Sequence, residues 1–365
     1  MQDFLSSIKP AVRQAQAYTL KHFKARVKIN QNENPFDMPA PVKVAVERAV
    51  AHKPWSRYPA FVPIELTERL ARFAGWKSHG ILVGNGSNEL IEAVLMVTVE
   101  RGKRVVIAQP TFTLYKLFAE ILGGECQDVF LTPELTFDLP PLVEASRHAD
   151  VTIVCCPNNP TGGILSLDQL REILQAARGL VVVDEAYHEF SLQSAMPLLD
   201  EFQNLVVLRT FSKAMAMAGL RVGYLLADPA LAEQVSKAKL PYNLNIFSMA
   251  AAEAAIEHFN LLKPQIDLLI NERQRVFHEL ERMPGVTPYP SQANFIAFRT
   301  RFSAKEVFDA LYADEVLVRD VSRYPMLDGF LRVSIGSPGE NSLFLQSLER
   351  FVMNWQDAQA DRRKI

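Results

Sequence analysis

Val151-Thr-Ile-Val-Cys-Cys-Pro-Asn-Asn-Pro-Thr-Gly162 is the stretch on which the fold turns. Its first four residues, Val151–Val154, are almost entirely apolar and β-branched, and a Pro- and Asn-rich turn follows at once. That pattern reads as a strand covered on both faces and ending in a polar loop. Leu180-Val-Val-Val-Asp184-Glu-Ala-Tyr187 and Leu205-Val-Val-Leu-Arg-Thr-Phe-Ser-Lys213 repeat the plan, and Val105-Val-Ile107 adds another strand. Between the first two lies Ser166-Leu-Asp-Gln169, whose spacing is that of a capping box and predicts a helix starting there. Strands alternating with helices predict an α/β fold with a mostly parallel central sheet.

Beyond about Ala250 the pattern changes. A helical stretch runs to about Met283, interrupted at Pro264, followed by strand-like Asn294–Phe298. A helix near Ser303–Tyr312, a strand over Phe330–Ile335 and a terminal helix complete what reads as a smaller α+β domain.

The bulk properties narrow the function. The chain has 365 residues, 48% of them hydrophobic, which is ordinary globular composition with length for about two domains. Lys and Arg number 39 against 41 Asp and Glu, a net charge of −2, so no basic excess suggests a nucleic-acid partner. Cys126, Cys155 and Cys156 form no CxxC spacing, which argues against a metal or disulfide frame and suits a reducing compartment. The first residues lack the apolar core of a signal peptide. No segment approaches the roughly 18 unbroken apolar residues of a membrane helix, so the expected location is cytoplasmic.

Open α/β sheets bind ligands at the carboxyl ends of their strands. Three such ends offer Asn159, then Asp184 with Tyr187, then Lys213 with Thr210 and Ser212. A lysine in a dry site can form an imine with an aldehyde. A carboxylate can keep a pyridine nitrogen protonated and so make the ring an electron sink, and Asn159 and Tyr187 can hydrogen-bond a ring oxygen. Gly84-Asn-Gly86-Ser87-Asn88-Glu89 follows the strand-like Ile81–Val83 and opens a helical run, the makings of an anion cradle that Thr210, Ser212 and Arg221 could close. Singly, each has a plainer reading: Lys213 as a surface charge, Asp184 as a turn cap, Asn-Pro as a turn opener, Cys155 and Cys156 as packing residues. The joint order and spacing carries the chemical reading.

In this order the motifs resemble fold-type-I pyridoxal-phosphate enzymes, and within them the histidinol-phosphate aminotransferase branch. The matching pieces are Asn30-Gln-Asn32-Glu-Asn-Pro35, Arg57-Tyr58-Pro59, Gly84–Glu89, Pro110-Thr-Phe112, Pro157–Gly162, Asp184–Tyr187, Arg209–Lys213, Gly219-Leu-Arg-Val-Gly-Tyr224 and Leu331-Arg332-Val-Ser-Ile-Gly336. The resemblance implies pyridoxal 5'-phosphate as cofactor, with Lys213 as the imine-forming, proton-shuttling lysine and Asp184 on the pyridine nitrogen. It implies Asn159 and Tyr187 on the ring oxygen, Phe112 stacked on the ring, and Gly86, Ser87, Asn88, Thr210, Ser212 and Arg221 at the phosphate. Tyr58 would reach that phosphate from the partner of a homodimer. Arg332 would bind a substrate carboxylate, Arg319 a substrate phosphate, Asn32 would help close the site, and Tyr18 matches a tyrosine near that phosphate. The implied layout is an arm over 1–35 packing partly with the small domain, a large cofactor-binding domain over 36–250 and a small domain over 251–365. The family usually has Asp where this chain has Asn88, and Ala-Phe-Gly-Leu-Ala where Ala214–Ala218 reads Ala-Met-Ala-Met-Ala.

The implied reaction is ping-pong transfer of the amino group of L-histidinol phosphate to 2-oxoglutarate, giving imidazole acetol phosphate and L-glutamate. Alternatives are an aromatic amino-acid aminotransferase, a phosphate-substrate decarboxylase of the threonine-phosphate type, and a cofactor-binding regulator without turnover. The last usually adds a basic DNA-binding domain, for which the first 30 residues leave too little chain.

Overall fold

A computed structural model describes residues 4–16 and 23–362 of the chain. Strand β1 (Val27–Lys28) precedes a large sheet made of β2 (Ile81–Asn85), β3 (Arg104–Gln109), β4 (Glu125–Phe130), β5 (Val151–Cys155), β6 (Leu180–Asp184), β7 (Leu205–Thr210) and β8 (Val222–Ala227). Their order is β2-β8-β7-β6-β5-β3-β4, and only β8 runs against the others. Alternate residues of each central strand face opposite sides of the sheet, and here both sides are covered. Val154, Val183 and Val207 pack with Leu142, Leu170 and Ile173 on one side. Ile153, Val182 and Val206 pack with Leu90, Val94 and Tyr115 on the other. Double coverage is why these strands read as unbroken apolar runs.

A second, antiparallel sheet has the order β12 (Arg319–Asp320), β13 (Phe330–Ser334), β10 (Phe295–Thr300), β9 (Val286–Pro288). It shares a core with the helices Phe259–Arg282, Ala304–Ala313 and Pro338–Arg362, through Leu269, Val276, Phe298, Leu311 and Phe344. Strand β1 pairs in parallel with β11 (Val316–Leu317), so the chain's early segment joins this second layer.

Local sequence accounts for several boundaries. Ser166 and Gln169 form the expected capping box on the helix Leu167–Ala176, and Ser303 and Glu306 form another on Ala304–Ala313. The helical stretch near residue 258 differs from the expectation. It breaks at His258, between Ile246–Glu257 and Phe259–Arg282, and not at Pro264. Pro264 lies in the second turn of the later helix, where its missing N–H forgoes one bond to Asn260, a loss that packing outweighs. No helix among the described residues is long and apolar enough to cross a membrane.

Candidate active site

Strands β5, β6 and β7 run parallel, so the residues following each emerge at one edge of the sheet. There they meet a cavity of about 290 Å³. Asp184 is the last residue of β6, paired in register with Cys155. Its Oδ1 accepts the amide of Ala186 at 3.1 Å, and its Oδ2 accepts the Tyr115 hydroxyl at 2.7 Å. Burial pushes its carboxyl up to about 6, against the lowering effect of those two bonds. Lys213, three residues past β7, donates to the carbonyl of Gln31 at 3.0 Å. Burial, with Arg332 nearby, lowers its amine to about 8, so the neutral nucleophilic form is within reach near neutrality.

Asn159 sits on a turn fixed by its neighbour. The Asn158 side chain donates to the Pro110 carbonyl at 2.9 Å and to Thr161 Oγ1 at 2.8 Å, and accepts from Thr111 Oγ1 at 2.7 Å. Asn159 Oδ1 then accepts from Arg332 Nη1. The Tyr187 hydroxyl accepts from Asn32 Nδ2 at 3.0 Å, and its ring stands edge-on to Phe295. Asn32 is held in a left-handed conformation, φ 56, that asparagine tolerates better than most residues. Its amide N–H donates to Ser334 Oγ at 2.8 Å, and its Oδ1 accepts the Ser334 hydroxyl at 2.9 Å.

The glycine loop forms a cradle at the start of the helix Ser87–Thr98. Gly86 has φ 74, and a Cβ there would lie 2.4 Å from Arg221 Nη2. A Cβ on Gly223 would meet the Ser87 amide nitrogen at 2.3 Å. Both glycines therefore allow the β8 backbone and the Arg221 side chain to approach a helix N-terminus closely. Ser212 Oγ receives Arg221 Nη1 at 3.1 Å and Thr210 Oγ1 at 3.0 Å, and Ser87, Asn88 and Phe112 line the same cavity.

Arg332 lies on β13, directly opposite Arg319 on β12, and both line the cavity. The Arg332 Nη2 donates to the Asn30 carbonyl at 3.1 Å, and its guanidinium lies 5.1 Å from the Phe295 ring centre. With Lys213 and Arg221, four cationic side chains face one buried carboxylate, a balance that favours anionic ligands.

Every cavity-lining expectation thus meets in one place except three. Gly86 stands just behind the cavity wall, as the cap residue of its helix. Tyr58 lines a separate surface cavity with Arg57 and Pro59 and is 82% exposed. Tyr18 lies outside the described residues. Tyr115, Tyr324 and Ser334 belong to the site and were not singled out in the sequence. Ser334 carried a signal, because two residues after Arg332 on a strand means the same face. Tyr115 carried a weaker one, three residues after Phe112 at the start of a helix.

The residues present fit pyridoxal phosphate. A glycine-shaped anion cradle, a buried acid, a buried amine and polar groups for a ring oxygen surround one cavity. The comparisons agree. The model of the family described as aminotransferase class I and II matches residues 24–348. Histidinol-phosphate aminotransferase from Chlorobium luteolum is 37% identical over 352 residues, covering 95% of this chain and 98% of that protein. The enzyme of the same name from Chlorobaculum tepidum is 37% identical, covering 94% of this chain and 99% of its own length. A crystal structure of histidinol-phosphate aminotransferase from Sinorhizobium meliloti, in complex with pyridoxal-5'-phosphate, superposes with a TM-score of 0.86 at 26% identity. That superposition covers 96% of this chain and 98% of that one.

Proposed function

The chain belongs to the class I and II aminotransferases, and on that premise we propose that it transfers the amino group of L-histidinol phosphate to 2-oxoglutarate, in histidine biosynthesis. Imidazole acetol phosphate and L-glutamate are the products. The observation that carries this reading is the Arg319–Arg332 pair opening into the cavity that also holds Lys213. One donor is a phosphate ester without an α-carboxylate, and the other substrate is a dicarboxylate. A site serving both needs two cations able to bind oxyanions in bidentate fashion.

Pyridoxal phosphate supplies an aldehyde and an electron-withdrawing ring. The chain supplies the rest. Ser87, Asn88, Thr210, Ser212 and Arg221 hold the phosphate, Gly86 shapes its cradle, and Phe112 covers one face of the ring. Asp184 holds a proton at the ring nitrogen. Asn159 and Tyr187 bind the ring oxygen, and Arg332 ties Asn159 to the substrate side of the cavity. Lys213 binds the cofactor between turnovers and moves a proton at the substrate's reacting carbon. Arg332 takes the carboxylate of glutamate or 2-oxoglutarate, Arg319 takes the phosphate, and Asn32 closes the site over Tyr187. With Asn88 on the first turn of the helix, its backbone can serve the phosphate whether the side chain is Asn or Asp.

The reading includes a cytoplasmic homodimer in which Tyr58 serves the site of a second copy. Three free cysteines suit a reducing compartment. Tyr58 stacks on Tyr242 with ring centres 4.7 Å apart, Phe61 stands edge-on to the same Tyr242, and Trp55, edge-on to Phe247, is also exposed. Such an apolar patch favours burial against another surface.

The test uses the purified chain with cofactor, L-histidinol phosphate and 2-oxoglutarate. Glutamate formed in step with imidazole acetol phosphate supports the reading. Turnover of aromatic amino acids alone would overturn the donor and keep the chemistry. Carbon dioxide release from a phosphate substrate without glutamate would favour the decarboxylase.

A further inference from the structure

Tyr115 occupies the first turn of the helix Leu114–Leu122 and is fully buried. A phenylalanine would fill the same apolar space, so its hydroxyl calls for an explanation. That hydroxyl donates to Asp184 Oδ2 at 2.7 Å, the side-chain bond made to this carboxylate among the described residues. The ring of the same tyrosine stands edge-on to Phe112, 5.5 Å between centres at 80°. Cys155 lies beside both, in register with Asp184 on the neighbouring strand. One side chain therefore touches both the acid at the end of β6 and an aromatic ring that lines the cavity.

We propose that Tyr115 is a positioning residue that fixes how Asp184 meets the cofactor's ring nitrogen and, through Phe112, how the ring is covered. The proposal rests on the cofactor roles given above. Its physical basis is a hydrogen bond in a dry, low-dielectric place, where a donor to a carboxylate acts strongly. The donor stabilises the ionised carboxylate and sets its rotation, so one lone pair on Oδ2 is committed to Tyr115 and one on Oδ1 to Ala186, and the remaining lone pairs are left for the nitrogen. Without the hydroxyl, burial of Asp184 is opposed only by the Ala186 amide and the more distant charge of Lys213. The carboxyl then keeps its proton more firmly, and the ring nitrogen holds it less.

The experiment uses the holoenzyme loaded with cofactor labelled with nitrogen-15 in its ring, in the wild-type chain and in Tyr115→Phe. The readouts are the ring-nitrogen resonance, the pH midpoint of the cofactor's visible band and the cofactor dissociation constant. The expected result is a resonance moved toward the unprotonated position, a raised midpoint and retention weakened about tenfold. Wild-type values on all three would overturn the proposal and leave the proposed function standing. A wild-type chain that does not bind the cofactor would overturn both. Should Tyr115→Phe fail to fold, mono-, di- and trifluorotyrosine at position 115 decide the matter, because they keep the ring's shape and grade the hydroxyl's acidity. Cofactor retention that follows that acidity supports the positioning role. Retention indifferent to it overturns the role.

Discussion

Arg319 and Arg332 face each other across β12 and β13, so two guanidinium groups leave the same face of the sheet into one cavity. Like charges set opposite one another destabilise a strand pair. Anionic substrates offset that repulsion. For Arg319→Ala, the expected loss is about 10²-fold in kcat/KM for the phosphate ester, with the glutamate half-reaction changed only a few-fold. Steady-state kinetics with each amino donor check this, and unchanged selectivity would remove Arg319 from the phosphate site. The variant's melting temperature should hold or rise slightly.

The lowered amine of Lys213 gives a pH dependence. Its folded value is near 8, below the ordinary lysine value, so the neutral form grows as pH rises toward 8 and saturates above it. The rate at which the cofactor-free chain captures pyridoxal phosphate should rise with a midpoint near pH 8 and level off about one unit or more above it. A stopped-flow midpoint near 10 would show that Lys213 is not in a dry site. Lys213→Arg should not capture the cofactor at any pH.

Gly223 and Gly219 make a matched pair. A methyl on Gly223 runs into the backbone nitrogen of Ser87, whereas one on Gly219 meets nothing within 4 Å. Gly223→Ala should push the helix start away from Arg221 and weaken cofactor binding by roughly 1–3 kcal/mol. Gly219→Ala should leave it unchanged. Fluorescence titration of both variants distinguishes the clash from a general effect of replacing glycine.

Arg209 and Glu185 form a buried ion pair at 3.0 Å that ties β7 to the turn after β6, and Ser194 bonds to both. Removing one partner leaves a charge uncompensated, so Arg209→Met should cost about 3–5 kcal/mol. Urea denaturation reads the loss. Part of it should return in the double variant with Glu185→Leu, and a single variant as stable as the wild type would contradict the account.

If Tyr58 serves a second copy's site, two inactive chains should restore each other. Lys213→Ala keeps its Tyr58, and Tyr58→Ala keeps its Lys213. A mixed dimer then has one intact site, and mixing should return activity that neither variant shows alone. Mixing without gain would confine Tyr58 to its own chain.

The sequence made the strand ends readable because β5, β6 and β7 are covered on both faces, and unbroken apolar runs make the following polar residue conspicuous. It was silent or faint elsewhere for physical reasons. Strands β1, β11 and β12 are two residues long, too short to show a period. Lys213 is held by the Gln31 carbonyl, a backbone atom present whatever the side chain. Tyr115 meets Asp184 across 69 positions of chain, a contact only the packed sheet creates. Tyr324 reaches the cavity from the irregular segment between β12 and β13, where no periodicity aims a side chain.

Asn30 and Asn32 are bonded to Arg332 and Ser334 across 302 positions of chain. A ribosome adding about 5–20 residues per second makes those partners on the order of 15–60 s after the asparagines. Until then the early segment has no strand β11 to join and no Ser334 to hold Asn32. The large sheet can be complete while the site is still open on one side. Completion of the binding pocket therefore waits for β13, the strand that carries both Arg332 and Ser334.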